Sequence, residues 1–223
     1  MVRTRTPPAR RRARATARRR RPPEQARQEI LDAAERVFLE SQPDRVGLKE
    51  VAREAGVSHA LITHYFGTYA GLIEAALERR LRALREAALS RLREAGALSR
   101  PGELLGLMFD ALEDPVHLRL MRWLLASERP AAATAFGLHD RGLATIAGQV
   151  ARALDAQPSA ALVREVELTL LTAVSAAYGY ALAKHALVGA LGREPSSELD
   201  VQVRDTLAVM LHAHLRAALK RSG

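Results

Sequence analysis

The sequence predicts an all-α protein, and three observations support this. Alanine, leucine, arginine and glutamate dominate the composition, and all four favour helices. Apolar residues recur every three or four positions over long stretches, as they do on one face of a helix. No stretch of useful length alternates apolar and polar residues as a half-buried strand would, and no internal repeat is present.

The first predicted helix begins after Pro22. Pro23 suits the first helical position, and Glu24 places an acid where the helix dipole favours one. Apolar residues continue at helical spacing to about Leu39, and Pro43 ends the segment.

Two short helices are predicted next. The first covers Leu48–Ala55 with Gly47 as its N-cap, and Gly56 follows where that helix must stop and turn. Ser58 caps the other, which runs to about His64.

A long helix over about 69–95 is predicted to connect this N-terminal head to a separate body. At a rise of about 1.5 Å per residue it would span roughly 40 Å. Prolines punctuate the rest of the chain and mark helix starts. Further helices are predicted near 101–112, 115–127, 131–156, 159–191 and 197–221.

The net charge of +9 is concentrated at the N-terminus. Residues 1–22 contain no acid, and the rest of the chain has 24 basic residues against 25 acidic ones. Ten arginines supply the N-terminal charge: Arg3, Arg5, Arg10, Arg11, Arg12, Arg14, Arg18, Arg19, Arg20 and Arg21. Such a block repels itself, so we expect it to be disordered when free. This segment is either an arm that lies along DNA or a dispensable extension. It lacks the apolar helix face that a mitochondrial transit peptide needs.

Several functional classes find no support in the sequence. The chain has no cysteine, which excludes disulfides and thiolate metal sites. His212 and His214 would point to different faces of a helix, and the other histidines are scattered, so no metal site is expected. No phosphate-binding, dinucleotide-binding or nucleophile-elbow motif is present, so we predict no catalytic residues, no cofactor and no enzyme. Without an apolar signal region or an apolar run of about 18 residues, we expect a cytoplasmic protein with no membrane contact.

The stretch over residues 48–66 is typical of a helix-turn-helix, in which a short, capped second helix presents its N-terminal residues to a major groove. Its shared core would be formed by Val51, Ala52, Val57, Ile62 and Phe66. Together with residues 30–38, this stretch resembles the N-terminal domain of the TetR family over roughly residues 24–72.

The resemblance implies a homodimer whose third helices enter successive major grooves of double-stranded DNA, with half-sites roughly 34–36 Å apart. It also implies a helix-turn-helix domain at 24–70 and a helical ligand-binding and dimerisation domain at 71–223, after the arginine-rich arm at 1–23 that the charge distribution predicts.

The family's base-reading positions correspond to His59, Ala60 and Leu61 in this chain. A histidine can hydrogen-bond a purine edge, and an apolar side chain can touch a thymine methyl. The resemblance adds contacts to bases or phosphates from Lys49, Ser58, Thr63, His64, Tyr65 and Tyr69. Within the arm, the candidates for DNA contact are Arg10, Arg11, Arg12, Arg18, Arg19, Arg20 and Arg21.

The chain departs from the family at two phosphate contacts. A tyrosine is usual where Thr63 stands and a lysine where Tyr69 stands. We therefore expect the head alone to bind DNA less tightly than a typical relative. The arm would compensate, because arginines favour the enhanced negative potential of narrow minor grooves.

The body is expected to form the dimer interface and to bind an effector. Its last two predicted helices carry broad apolar surfaces, and the family uses these helices for a four-helix dimer interface. The family also implies a cavity for a small-molecule effector, whose identity does not follow from the sequence. The candidate lining residues are Met108, His117, Trp123, Phe136 and Tyr178, each of which could equally be core or interface packing.

The sequence thus predicts a transcriptional repressor that binds a palindromic operator as a homodimer and is released by a ligand. One alternative is a ligand-independent regulator or architectural protein that uses the head and the arm. Another is a helical-bundle enzyme with an incidental helix-turn-helix, for which the sequence offers no convergent polar site.

Overall fold

The computed structural model describes residues 22–94, 101–127 and 142–222, and this part of the chain contains helices and no strand. The described helices are α1 (Pro23–Glu40), α2 (Leu48–Ala55), α3 (His59–Phe66), α4 (Tyr69–Leu92), α5 (Pro101–Glu113), α6 (Pro115–Ala126), α7 (Gly142–Leu154), α8 (Ala160–Ala190) and α9 (Ser197–Ser222). A 3-10 turn, Pro43–Arg45, joins α1 to α2. The all-α prediction is confirmed, and the predicted helix ends that the structure describes fall within three residues of those observed.

Helices α1 to α3 pack with the start of α4 around one core. Ile30 and Phe38 of α1, Val51 of α2 and Ile62 of α3 are each fully buried in it. Small residues on the facing helices, such as Ala34, allow the backbones to approach closely. This core holds the surface of α3 in a fixed position.

Two glycines fix the angles between these short helices. Gly56 ends α2 with φ +63°, in the left-handed region that glycine adopts without strain. The amide of Val57 then donates to the carbonyl of Ala52 at 3.0 Å and closes the turn. At Gly71 a side chain is excluded, because a Cβ there would lie 2.2 Å from the carbonyl oxygen of Phe66.

The body packs α5 and α6 against α4, and α7 and α9 against α8. One apolar cluster joins α7 to α8 through residues such as Val150 and Val166. A second joins α5, α8 and α9 through Leu105, Ala173 and Ala208.

Helix α8 is the longest and the most apolar of the long helices. By length and composition alone it could cross a membrane, because its most apolar 18-residue window has a mean hydropathy of 1.3 and only 22% of that window is buried. The sequence-based expectation of no span rested on an unbroken apolar run, which is a stricter requirement. In the fold, α8 packs against α5, α7 and α9 and leaves a row of apolar side chains exposed.

Candidate functional site

Helix α3 presents a polar surface on a rigid base. His59, Ala60, Thr63 and His64 are exposed, whereas Ile62 between them is 0% exposed. The other two candidate residues of this helix, Leu61 and Tyr65, are half-buried. The arrangement therefore places four neighbouring side chains on one accessible face whose backbone cannot shift without opening the core.

The start of α3 also offers backbone donors. The hydroxyl of Ser58 accepts from the amide of Leu61 at 3.2 Å, which caps the helix. Among the described residues, the amides of His59 and Ala60 have no acceptor. Unpaired amides at the positive end of a helix dipole are ready donors to a phosphate group.

The first turn of α2, the helix before α3, carries two charged residues. Lys49 is exposed in the first turn of α2. The neighbouring carboxylate of Glu50 accepts from the amide of Gly47 at 2.9 Å. Hydrogen bonds from its own amide and from that of Gly47 lower the pKa of Glu50, so this acid is held by backbone donors.

Arg27 is a further residue of this surface, which no pattern in the sequence indicated. Its guanidinium carbon lies 5.3 Å from the ring centroid of Phe66, at the C-terminal end of α3. The contact brings the first turns of α1, and so the point where residues 1–21 attach, next to α3. Its sequence signal is weak, because Arg27 stands in a helix that contains many charged residues.

Two predicted phosphate contacts donate hydrogen bonds within the protein. The hydroxyl of Tyr69 donates to the carbonyl of Pro43 at 2.7 Å, and the ring makes edge contacts with Phe38 and Trp123. Burial, followed by the charges of nearby acids, raises the pKa of Tyr69. The hydroxyl of Thr63 donates to the carbonyl of His59 at 3.2 Å while remaining exposed.

The arm candidates from Arg10 to Arg21 lie outside the described residues.

Comparisons with known proteins agree with this geometry. Residues 30–76 match the family model of bacterial regulatory proteins of the tetR family. The chain is 33% identical over 100 residues to the HTH-type transcriptional regulator BetI of Cronobacter sakazakii, a region that covers 44% of this chain and 50% of the relative. The head is a helix-turn-helix of the TetR type, the DNA-binding domain of a family of bacterial transcriptional regulators.

The chain spans about half the length of that curated relative. Solved structures extend the likeness in fold to the body. A tetR-family transcriptional regulator from Streptomyces coelicolor superposes with a TM-score of 0.59 at 26% identity, covering 88% of this chain and 89% of that one. A TetR transcriptional regulator from Rhodococcus sp. RHA1 gives 0.59 at 18% identity, covering 84% and 96%.

Helix α6 is bound to the TetR-type head at three places along its length. Asp114 caps α6 and pairs with Arg80 of α4, whose other nitrogen contacts Glu35 of α1 at 2.6 Å. Partial burial raises the pKa of Asp114, but hydrogen bonds from Arg80 and from backbone amides outweigh it and hold that pKa below its usual value.

The other two contacts lie further along α6. Arg119 donates to the carbonyls of Phe38 and Leu39 at 2.7 and 2.6 Å, and so caps the end of α1. Trp123 lies against Tyr69, with ring centroids 6.1 Å apart, and Tyr69 in turn holds the carbonyl of Pro43. A displacement of α6 would therefore pull on α1 and on the turn that precedes α2.

The body contains a cavity of about 200 Å³ between α4, α5, α7, α8 and α9. Among the described residues that line it, seventeen of twenty are aliphatic or methionine, and the other three are Thr169, His212 and Arg216. Met108 is the one predicted ligand contact that the structure places on this cavity, among those it describes.

The other predicted ligand contacts lie elsewhere. His117 and Tyr178 are buried against each other, with Nε2 and the hydroxyl 2.7 Å apart. Burial, aided by the charge of Arg80, lowers the pKa of His117 to about 4, so the ring is neutral at neutral pH. Trp123 packs on Tyr69, and Phe136 lies outside the described residues.

Proposed function

We propose that this protein is a ligand-released repressor that binds a palindromic operator as a homodimer in the cytoplasm. The observation that carries the proposal is the exposed face of α3, where His59, Ala60, Thr63 and His64 stand on a fully buried base beside two unpaired amides. Such a surface supplies base-reading side chains and phosphate donors together, as a recognition helix requires.

The exposed apolar residues of the body support the homodimer. Seven of the nine large hydrophobic residues that are exposed in the described part of the chain lie on α8, on α9 or between them: Leu168, Leu171, Leu187, Leu191, Val201, Val209 and Met210. An apolar patch concentrated on two adjacent helices is typical of a protein interface. A second copy would cover it with the same two helices in a closed, two-fold arrangement.

The cavity and α6 support release by a ligand. The cavity is bounded by α4 and α5, and α4 also carries Arg80, the link between Asp114 of α6 and Glu35 of α1. A ligand that favours a different arrangement of α4 and α6 would therefore reposition the head. By linkage, operator DNA would weaken ligand binding by the same factor.

The arginine-rich arm would add to operator binding. It joins the fold at the start of α1, which the contact between Arg27 and Phe66 brings beside α3. An arm leaving from this point could follow the DNA backbone or enter the adjacent minor groove.

The test is selection from a random pool of duplex DNA at moderate salt, followed by sequencing of the retained fraction. The intact chain is compared with a chain that begins at Pro22, with His59→Ala, and with His185→Ala, which removes an exposed histidine of α8 as a control. We expect an inverted repeat with A/T-rich flanks for the intact chain and for His185→Ala. The flank preference should disappear without the arm, and the preference within the repeat should weaken in His59→Ala.

Other outcomes favour the alternatives. Retention of DNA without a shared motif would mean that phosphate charge dominates, and would favour a ligand-independent architectural protein. A single half-site in place of a repeat would contradict binding as a homodimer.

A further inference from the structure

The lining of the body cavity specifies the chemistry of its ligand. We propose that it binds an aliphatic carboxylate of medium length, with the hydrocarbon chain inside and the carboxylate at Arg216. This inference takes its regulatory meaning from the proposed function and names the effector class that the proposal leaves open.

The lining of the cavity is mostly aliphatic. Its described residues are almost all leucine, isoleucine, valine, alanine or methionine, and none of them is phenylalanine, tyrosine or tryptophan. These residues therefore offer a planar aromatic ligand no large ring to stack on. The hydroxyl of Thr169 already donates to the carbonyl of Glu165 at 2.7 Å, so the interior offers little to a polar ligand.

The cavity is long and narrow. The lining residues of α9 run from Ala208 to Leu219, a length of about 16 Å at the helical rise. The volume of about 200 Å³ is nevertheless below the roughly 300–1,000 Å³ of pockets that hold drug-sized molecules. A cavity that is long but small in volume is narrow, which suits one extended hydrocarbon chain better than a fused ring system.

One side of the cavity carries a positive charge. Arg216 lines the cavity and is exposed, and His212 lies one helical turn earlier on the same face. Within the described ranges, no carboxylate pairs with Arg216; Glu165 of α8 contacts His214 instead, at 3.1 Å. A guanidinium at the rim of an apolar cavity matches a carboxylate, which it binds through two parallel hydrogen bonds.

The inference is tested by calorimetric titration of the full chain with four probes: decanoate, decanol, decylammonium and naphthoate, each below its micelle concentration. Decanoate is expected to bind most tightly, decanol more weakly and decylammonium weakest of the three. Naphthoate, a rigid aromatic anion, should show no measurable binding. Equal or tighter binding of decylammonium or naphthoate than of decanoate would overturn the proposal.

Variants of the protein distinguish the contribution of the Arg216 charge from that of the ligand's hydrocarbon chain. Arg216→Gln should weaken the binding of decanoate by about two- to fivefold, as expected for an exposed ion pair, and leave the affinity for decanol unchanged. Arg204→Gln, on the same helix but away from the cavity, should alter neither. Ala88→Leu should fill the cavity and abolish binding of both, whereas Ala83→Leu, on the exposed side of the same helix, should not. Decanoate binding that survives Ala88→Leu would place the site elsewhere.

A final measurement separates this inference from the proposed function. The operator recovered by selection is titrated with the protein in the presence and absence of decanoate. Cavity binding with loss of operator affinity supports both proposals. Cavity binding with unchanged operator affinity supports the ligand class and contradicts release by this ligand. Absence of any decanoate binding contradicts the ligand class and leaves the DNA selection as the test of the regulator.

Discussion

At the scale of single residues, His117 shows how burial changes a side chain's role. The ring is 2% exposed and hydrogen-bonds Tyr178 across the boundary between α6 and α8. From the sequence it appeared as a polar anchor for a ligand. In the fold it is a neutral core residue, because burial and the charge of Arg80 disfavour the protonated ring more than Asp114 favours it.

This environment predicts a pH dependence of stability. In the unfolded chain His117 has a pKa near 6.5, whereas in the folded chain it is about 4, so the unfolded state binds the proton more readily. The stabilisation is complete above about pH 6.5 and is lost as the pH falls towards 4, by roughly 3 kcal/mol in all. Denaturant unfolding at several pH values measures it.

The variant His117→Gln, whose amide can still pair with Tyr178, should lose less unfolding free energy over that pH range than the parent chain. His185→Gln, which removes an exposed histidine, should behave like the parent. If the unfolding free energy of His117→Gln fell with pH as steeply as that of the parent, other groups would account for the acid sensitivity.

At the scale of elements, α6 is a second structural link between body and head, beside α4. The three contacts through Asp114, Arg119 and Trp123 join it to α1 and to the segment that leads into α2. The paired carbonyls of Phe38 and Leu39 belong to the last turn of α1, where helical carbonyls lack partners within the helix. Arg119 therefore replaces a local cap with one from a distant element.

Removing this cap should loosen the end of α1. Arg119→Ala is expected to lower the unfolding free energy by about 1–2 kcal/mol, the range for hydrogen bonds from a charged donor that is partly exposed. Amide exchange should become faster over residues 41–46. Arg122→Ala, an exposed arginine of the same helix, is the matched control and should change neither quantity. Unchanged exchange in Arg119→Ala would mean that α1 ends stably without α6.

At the scale of the whole molecule, the single chain leaves a large apolar surface on α8 and α9. Met210 is 63% exposed and Val209 is 69% exposed, values that are unfavourable for neighbouring apolar residues on a monomer. The same exposure explains why α8 is apolar enough to resemble a membrane span. In the proposed homodimer α8 would pack both on its own body and on a second copy, and such a helix needs apolar residues on most of its surface.

The expected consequence is a dimer that a charge at this patch disrupts. Met210→Glu should weaken self-association about thirtyfold or more, the loss expected for a central interface residue. Leu125→Glu places the same charge at an exposed apolar residue of α6, outside the patch, and should leave the dimer intact. Sedimentation equilibrium measures both. A monomeric parent chain, or a dimer unaffected by Met210→Glu, would contradict the proposed interface.

Much of this protein was determined by local sequence. The caps at Ser58 and Ser159, the turn at Gly56 and the prolines at helix starts act over a few residues, so the helix boundaries could be predicted. The same local pattern identified the helix-turn-helix. The exposure of His59 and His64 was predictable as well, because a short amphipathic helix has only one face to bury.

The tertiary structure decided what depends on distant partners. Tyr69 stands at a phosphate-contact position of the family, yet its hydroxyl binds Pro43, which is 26 residues away in the chain. Trp123 and Met108 looked equally suited to a cavity, and only the packing of five helices places Met108 on it and Trp123 against the head. Periodicity gives the face of a helix but not its neighbour. The lining of the cavity and the connection from body to head therefore follow from long-range packing, which no local pattern encodes.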